Sequence, residues 1–204
     1  MKNLIKIFIV SISLMLSSNL FAQDASFDEQ PLTKQELRAQ KRLEKKKERE
    51  QKKLIAKQLE LIIHENAVRG IDSASFVLEA TQVYDRYGNV ENVNSNINFV
   101  KVVGNKAVFQ LGFDGVVGLN GVGGITMEGT ISGYEVEKLD NGRVNVKCNV
   151  QGPIMMANMS FTMDGEGNFA NVKVRAQTEN IELSFRGQIQ PNNHSSVYEG
   201  MKLF

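Results

Sequence analysis

One cysteine, Cys148, stands in a chain of 204 residues, so no intramolecular disulfide can form even in an oxidising compartment. Stability must come from an ordinary apolar core, which 42% hydrophobic residues can supply for one domain plus an appendage. Histidine is nearly as scarce: His64 falls late in a helical stretch and His194 in the polar segment after Pro191. Neither is placed to meet the other or Cys148, so no nucleophile–base pair, metal set or cofactor site is expected. The carboxylates Glu128, Glu135 and Glu137 share a strand, where Glu135 and Glu137 read as solvated. They lend no support to a two-carboxylate hydrolase site.

Long apolar runs are also missing, with one informative exception. Ile7 to Leu16 is an almost unbroken apolar stretch of ten positions, preceded by Lys2 and Lys6 and followed by Leu20-Phe21-Ala22. It is shorter than the ~20 residues a membrane-spanning helix needs, and its layout is that of a secretory signal peptide. Residues 1–22 are therefore expected to be removed near Ala22, leaving a periplasmic or secreted protein. With no cysteine at the cleavage point, it is not expected to be a lipoprotein.

The formal net charge of +1 conceals an asymmetry. Thr33 to Asn66 holds eleven basic and six acidic side chains, a net of +5, whereas Ala67 to Phe204 carries eleven basic and fourteen acidic, a net of −3. After a linker over 23–32, Thr33-Lys34-Gln35-Glu36 reads as a capping box. Strong helix formers then predict a charged helix over 33–69, with Gly70 as its C′ stop. Between Lys41 and Lys53 the only large apolar residue is Leu43, so this part reads as solvated. Leu54, Ala56, Leu59, Leu61, Ile62 and Ile63 then supply apolar surface, and Leu54 to Ile63 is expected to dock on the body, covering an edge or end of its sheet. Acidic residues interrupt every basic run and no aromatic interleaves, so the helix reads as a spacer with a weak anionic-surface contact at most. Nucleic acid is not expected as a partner.

From Phe76 the periodicity becomes two. Val144, Val146, Cys148 and Val150 share one face; so do Ala170, Val172, Val174 and Ala176; so do Ile181, Leu183, Phe185 and Ile189. One dry and one wet face is the signature of antiparallel sheet. Turn signals at Gly104-Asn105 and Asn141-Gly142 divide about eight strands, near 75–84, 96–103, 106–113, 125–138, 143–151, 154–163, 168–177 and 181–189. In the fourth, the apolar set changes parity at Gly133, which predicts a bulge. The expected fold is mainly β: an eight-stranded antiparallel meander over 70–190 curling into a barrel or sandwich, lipocalin-like, followed by a tail over 191–204. The chain has no tryptophan, so it lacks the tryptophan motif of true lipocalins.

One loop stands out. Gly112, Gly115, Gly118, Gly121 and Gly124 recur three apart, and Val116, Val117 and Leu119 lie among them. The loop opens no helix and lacks a following Lys-Ser/Thr, so it is no phosphate cradle. Its apolar residues either fold over an end of the barrel or meet a ligand or partner, which makes Val116, Val117 and Leu119 the candidate contact residues. Asp72-Ser73-Ala74 fits a short pattern used for O-glycosylation of exported proteins, with Ser73 as acceptor; it fits a plain helix-to-strand turn equally.

The stretch from Ala74 to Ile189 resembles domain-of-unknown-function family 4251, a set of exported bacterial proteins. The likeness rests on Ser75-Phe76-Val77-Leu78-Glu79-Ala80, Asn96-Ile97-Asn98-Phe99-Val100-Lys101-Val102, the glycine-rich loop into Gly124-Ile125, Gly129-Thr130-Ile131 and Tyr134-Glu135-Val136. The resemblance implies no substrate or cofactor. Its members often carry an aromatic and an arginine in the glycine-rich loop, where this chain has Val116, Val117 and Leu119. The function expected is that of a non-enzymatic envelope protein binding a protein partner or small apolar ligand. The alternatives are a carrier of a hydrophobic ligand within the barrel and an unrecognised hydrolase.

Overall fold

Thr33 and Glu36 cap each other reciprocally: the Thr33 amide donates to Glu36 Oε2 at 2.8 Å, and the Glu36 amide to Thr33 Oγ1 at 3.4 Å. Two orphan donors are satisfied at once, and helix α1 (Lys34–Asp72) starts there. The computed structural model describes residues 33–113, 115, 118, 120–153, 156–177 and 182–202. The expected signal peptide, the linker and the candidates Val116, Val117 and Leu119 lie outside the described residues. The chain divides into two units at Lys47/Glu48. In the first, residues 33–47 are exposed throughout, as a helix without an apolar face should be. No described helix is long and apolar enough to cross a membrane.

Among the described residues of the second unit, nine antiparallel strands follow α1: β1 (Ser75–Asp85), β2 (Val90–Asn92), β3 (Phe99–Val103), β4 (Lys106–Leu111), β5 (Ile125–Lys138), β6 (Val144–Gln151), β7 (Met156–Met163), β8 (Phe169–Ala176) and β9 (Glu182–Pro191). Each pairs with its successor from β3 to β9, and β9 returns to pair with β1, while β3 pairs with β1 on its other side. The ring is an eight-stranded barrel, which settles the barrel-or-sandwich alternative. Closure removes the free edges that an open meander would leave. The ninth strand, β2, was not expected. It extends the ladder on β1 beyond the reach of β3, pairing Gln82–Tyr84 with Val90–Asn92.

The interior is the alternation made solid. Phe76, Leu78, Met159, Phe161, Met163, Phe185 and Ile189 are all at most 2% exposed. Phe76 meets Phe161 edge-to-face at 5.3 Å between ring centroids. Ala80, Ala107, Gly129, Ala157, Ala170 and Gly187 supply the small positions that let these rings fit within a narrow barrel. The bulge falls where the parity change places it: the β5–β6 register shifts between Ser132 and Glu135, and Gly133 takes φ +60°.

Two expectations for α1 are corrected. Gly70 is not its stop, because the helix runs on to Asp72 and the left-handed residue beyond it is Ala74, at φ +47°. Gly70 is instead a close-approach residue, whose absent Cβ would lie 3.3 Å from both Phe76 Cβ and the Ser75 carbonyl. Nor does Leu54–Ile63 cover the barrel. Leu54, Ile55, Leu59, Leu61 and Ile62 are each more than half exposed. The buried helical residues are Ala67, Gly70 and Ile71, so only the turns from His64 onward dock. Those turns close one end of the barrel. Tyr134 donates its hydroxyl to the Ile71 carbonyl at 2.7 Å, Lys138 pairs with Asp72 at 2.7 Å, and His64 Nδ1 lies 2.8 Å from the Gly167 carbonyl. A carbonyl only accepts, so His64 carries its proton on Nδ1.

Candidate functional site

In an up-and-down barrel the hairpin turns alternate between two ends. The turns after β3, β5 and β7 lie at the end that α1 plugs, since Gly167 and Lys138 meet the helix there. The β4–β5 connection, which is the glycine-rich loop, therefore belongs to the opposite mouth, together with the β6–β7 and β8–β9 connections. Inward parity carries Leu111, Met127 and Leu183 toward this mouth, where each is partly buried against the core. Phe113 and Ile125 continue the same parity one step further out and are 47% and 46% exposed. Phe113 continues the alternation of Phe109 and Leu111, but β4 ends at Leu111 and leaves its ring on the rim.

A buried amide network anchors the loop at its two ends. Asn98, fully buried, receives the Gly112 amide on Oδ1 at 2.9 Å and donates Nδ2 to the carbonyls of Asn94 and Gly112 at 3.0 Å. Asn120 Oδ1 accepts the amides of Val122 at 3.2 Å and Gly124 at 3.0 Å, and its Nδ2 donates to Thr126 Oγ1 at 3.1 Å. The Thr126 hydroxyl donates onward to Gln110 Oε1 at 2.8 Å. Two glycines are required by close packing: a Cβ on Gly124 would sit 1.9 Å from the Leu111 carbonyl, and one on Gly112 would sit 3.0 Å from the Val122 carbonyl.

The tail reaches the same network. Gln110 Nε2 donates to the carbonyls of Ile97 and Tyr198, and its Oε1 also accepts the Gly200 amide at 2.8 Å. Val197 packs on Val77, Phe99 and Val108, which form a small apolar cluster on the outward side of β1, β3 and β4. Lys202 pairs with Glu128 and Glu199, and Lys101 with Glu199 at 3.2 Å. Hydrogen bonds from Lys202 and then Lys106 hold the Glu128 carboxyl down to about 2. Residues 192–202 are thus a strap across the outer sheet rather than a free tail. Gln110 and Thr126 gave no signal in sequence, because polar residues at outward parity read as solvated, and Asn98 and Asn120 gave none because they lie in connections where no strand period applies.

The other candidates are kept apart. His64 lies at the plugged end and His194 at the start of the strap, its amide bonded to the Pro191 carbonyl at 2.9 Å. Among the described residues no group of three His, Cys, Asp or Glu side chains converges as a metal site. Ser73 is exposed at the helix-to-strand turn, with its hydroxyl donating to the carbonyls of Arg69 at 2.9 Å and Gly70 at 3.1 Å. Cys148 is buried as expected, and burial pushes its thiol up to about 11. Since the thiolate is the reactive form, native protein at pH 8 should resist alkylation by iodoacetamide while urea-unfolded protein reacts fully. Comparable rates in the two states would show Cys148 to be accessible.

A comparison with family models matches residues 63–189 to a family described as Domain of unknown function (DUF4251). That span exceeds half of the chain. The chain belongs to the DUF4251 family. A crystal structure of a DUF4251 family protein from Bacteroides eggerthii DSM 20697 is similar to it at 30% sequence identity and a TM-score of 0.59, over 68% of this chain and 94% of that one. No curated protein matches. The DUF4251 match runs from Ile63 to Ile189, so it takes in the docked last turns of α1 along with the barrel and leaves out the exposed charged helix.

Proposed function

We propose that this DUF4251 chain is an exported, non-enzymatic envelope protein whose barrel binds a protein partner or small apolar ligand at the mouth opposite α1. One observation carries the reading: Phe113 and Ile125 extend the interior face onto the rim and stand nearly half exposed, whereas the other end is plugged by helix. Apolar side chains held open at a barrel rim cost solvation unless something covers them. The sequence puts Val116, Val117 and Leu119 in the loop that joins β4 to β5, and the proposed contact includes them. The interior itself is occupied by fully buried Phe, Met and Leu side chains, so contact at the rim is favoured over carriage of a lipid inside.

The non-enzymatic reading rests on the separation of His64, His194 and buried Cys148. Export rests on residues 1–22, and N-terminal sequencing of the native protein should return Gln23. For the mouth, titration with the apolar fluorophore N-phenyl-1-naphthylamine should give a saturable signal. Ile125→Asp should weaken it about tenfold, because a charge replaces apolar contact, with little change in melting temperature at so exposed a site. Unchanged titration in that variant would remove the mouth as the binding end.

A further inference from the structure

The outward face of a barrel is ordinarily convex, yet a groove of about 400 Å³ crosses the wet side of β5–β8. Its origin is local. The Gly133 bulge shifts the β5 register and leaves no side chain at that point, and bulges commonly re-aim neighbouring side chains beside functional surfaces. Cross-strand registry then sets two polar rows on its floor. Lys147, Ser160 and Lys173 lie side by side on β6, β7 and β8, as do Asn149, Asn158 and Arg175 one step along. Strands are ~4.8 Å apart, so the two lysines flank the serine at roughly 10 Å from each other.

The cations are not equivalent. Glu182 on β9 holds Lys173 at 2.8 Å and Arg175 at 2.6 Å, which fixes both in place while neutralising only one charge. Lys147 makes no ion pair among the described residues; Glu135 stands opposite it on β5 and lines the same groove, so with Glu182 the three cations outnumber the carboxylates by one. Asn149 and Ser160 offer unengaged donors and acceptors, and Asn158 uses only its carbonyl, toward Gln177 at 2.8 Å. No aromatic lines the groove, so it has no platform for stacking a neutral sugar or a base. We propose that this groove is a binding site for an acidic saccharide, with Lys147 and Lys173 receiving its carboxylates and Asn149, Asn158 and Ser160 its hydroxyls. The site is separate from the mouth and stands or falls independently of it.

The test is titration of the full chain at low salt with a hexuronic acid oligosaccharide, its neutral methyl ester, inorganic phosphate and phosphatidylglycerol vesicles. Saturable binding of the acid and loss of binding to its ester are expected. Lys147→Gln should weaken the acid about tenfold, in line with removal of one charge-assisted contact, without changing the melting temperature. Lys57→Gln, an equal charge change on an exposed helical residue, should leave affinity unaltered. Absence of saturable binding, equal losses in the two variants, or equally strong binding of phosphate or vesicles would each overturn the proposal.

Discussion

Gly187→Ala should destabilise the protein by about 3 kcal/mol or more, a large part of the 5–15 kcal/mol that holds a typical domain together. Gly187 lies on β9 opposite Ala80 at the seam where the last strand closes onto the first. A Cβ there would stand 1.9 Å from the Glu79 carbonyl oxygen and 2.7 Å from Ala80 Cα, both backbone atoms. No rotamer change relieves such an overlap; the strands must separate, and the ladder between them loosens. Gly104→Ala is the matched comparison. That glycine takes φ +59° in the β3–β4 turn with nothing within 4 Å of its missing Cβ, so only backbone strain of about 1 kcal/mol opposes the change. Urea titration of both variants separates the two causes. Equal midpoints would mean that the seam is not a close-packed closure.

Gln110→Leu should cost about 4 kcal/mol and free the strap. The amide is fully buried and serves four partners: the carbonyls of Ile97 and Tyr198, the Gly200 amide and the Thr126 hydroxyl. Leucine nearly matches its volume but satisfies none of them, and each buried polar group left alone costs roughly 1–3 kcal/mol. Denaturation gives the energy; limited proteolysis followed by mass spectrometry should show early cleavage after Pro191. A variant as resistant as wild type would mean that the strap is held by Val197 and its ion pairs instead. Those ion pairs give the strap an acid dependence of known sign. The Glu128 carboxyl lies lower in the folded protein, near 2, than its ordinary 4.5. Its contribution is therefore complete above pH 4.5 and disappears as pH falls from 4.5 toward 2. Strap cleavage in wild type should accelerate across that window.

The barrel was readable because strand alternation is a local property that survives into the fold. Val144, Val146, Cys148 and Val150 face inward for the same reason that they alternate: successive side chains of a strand point to opposite sides. The Gly133 bulge was readable too, since a parity change leaves no other way to keep both halves of β5 facing the core. The helix misled in a different manner. A helical wheel tells which side chains share a face, but not whether anything lies opposite, and Leu54 to Ile62 meet no barrel wall because only the turns from His64 onward reach its end. Gly70 looked like a terminator because glycine often is one; here the chain needed its lack of a side chain against Phe76.

Pattern and composition alone established an antiparallel β body, its inward residues, its turns, the capping box at Thr33 and the burial of Cys148. Each of these depends on neighbours a few positions apart. Tertiary structure decided closure of β9 on β1, the plugging of one end by α1, the amide network around Gln110 and the groove beside Lys147. Those depend on which distant segments lie against each other. An outward glutamine is solvated or buried according to whether a strap some ninety residues later in the chain crosses above it, and no local period encodes that.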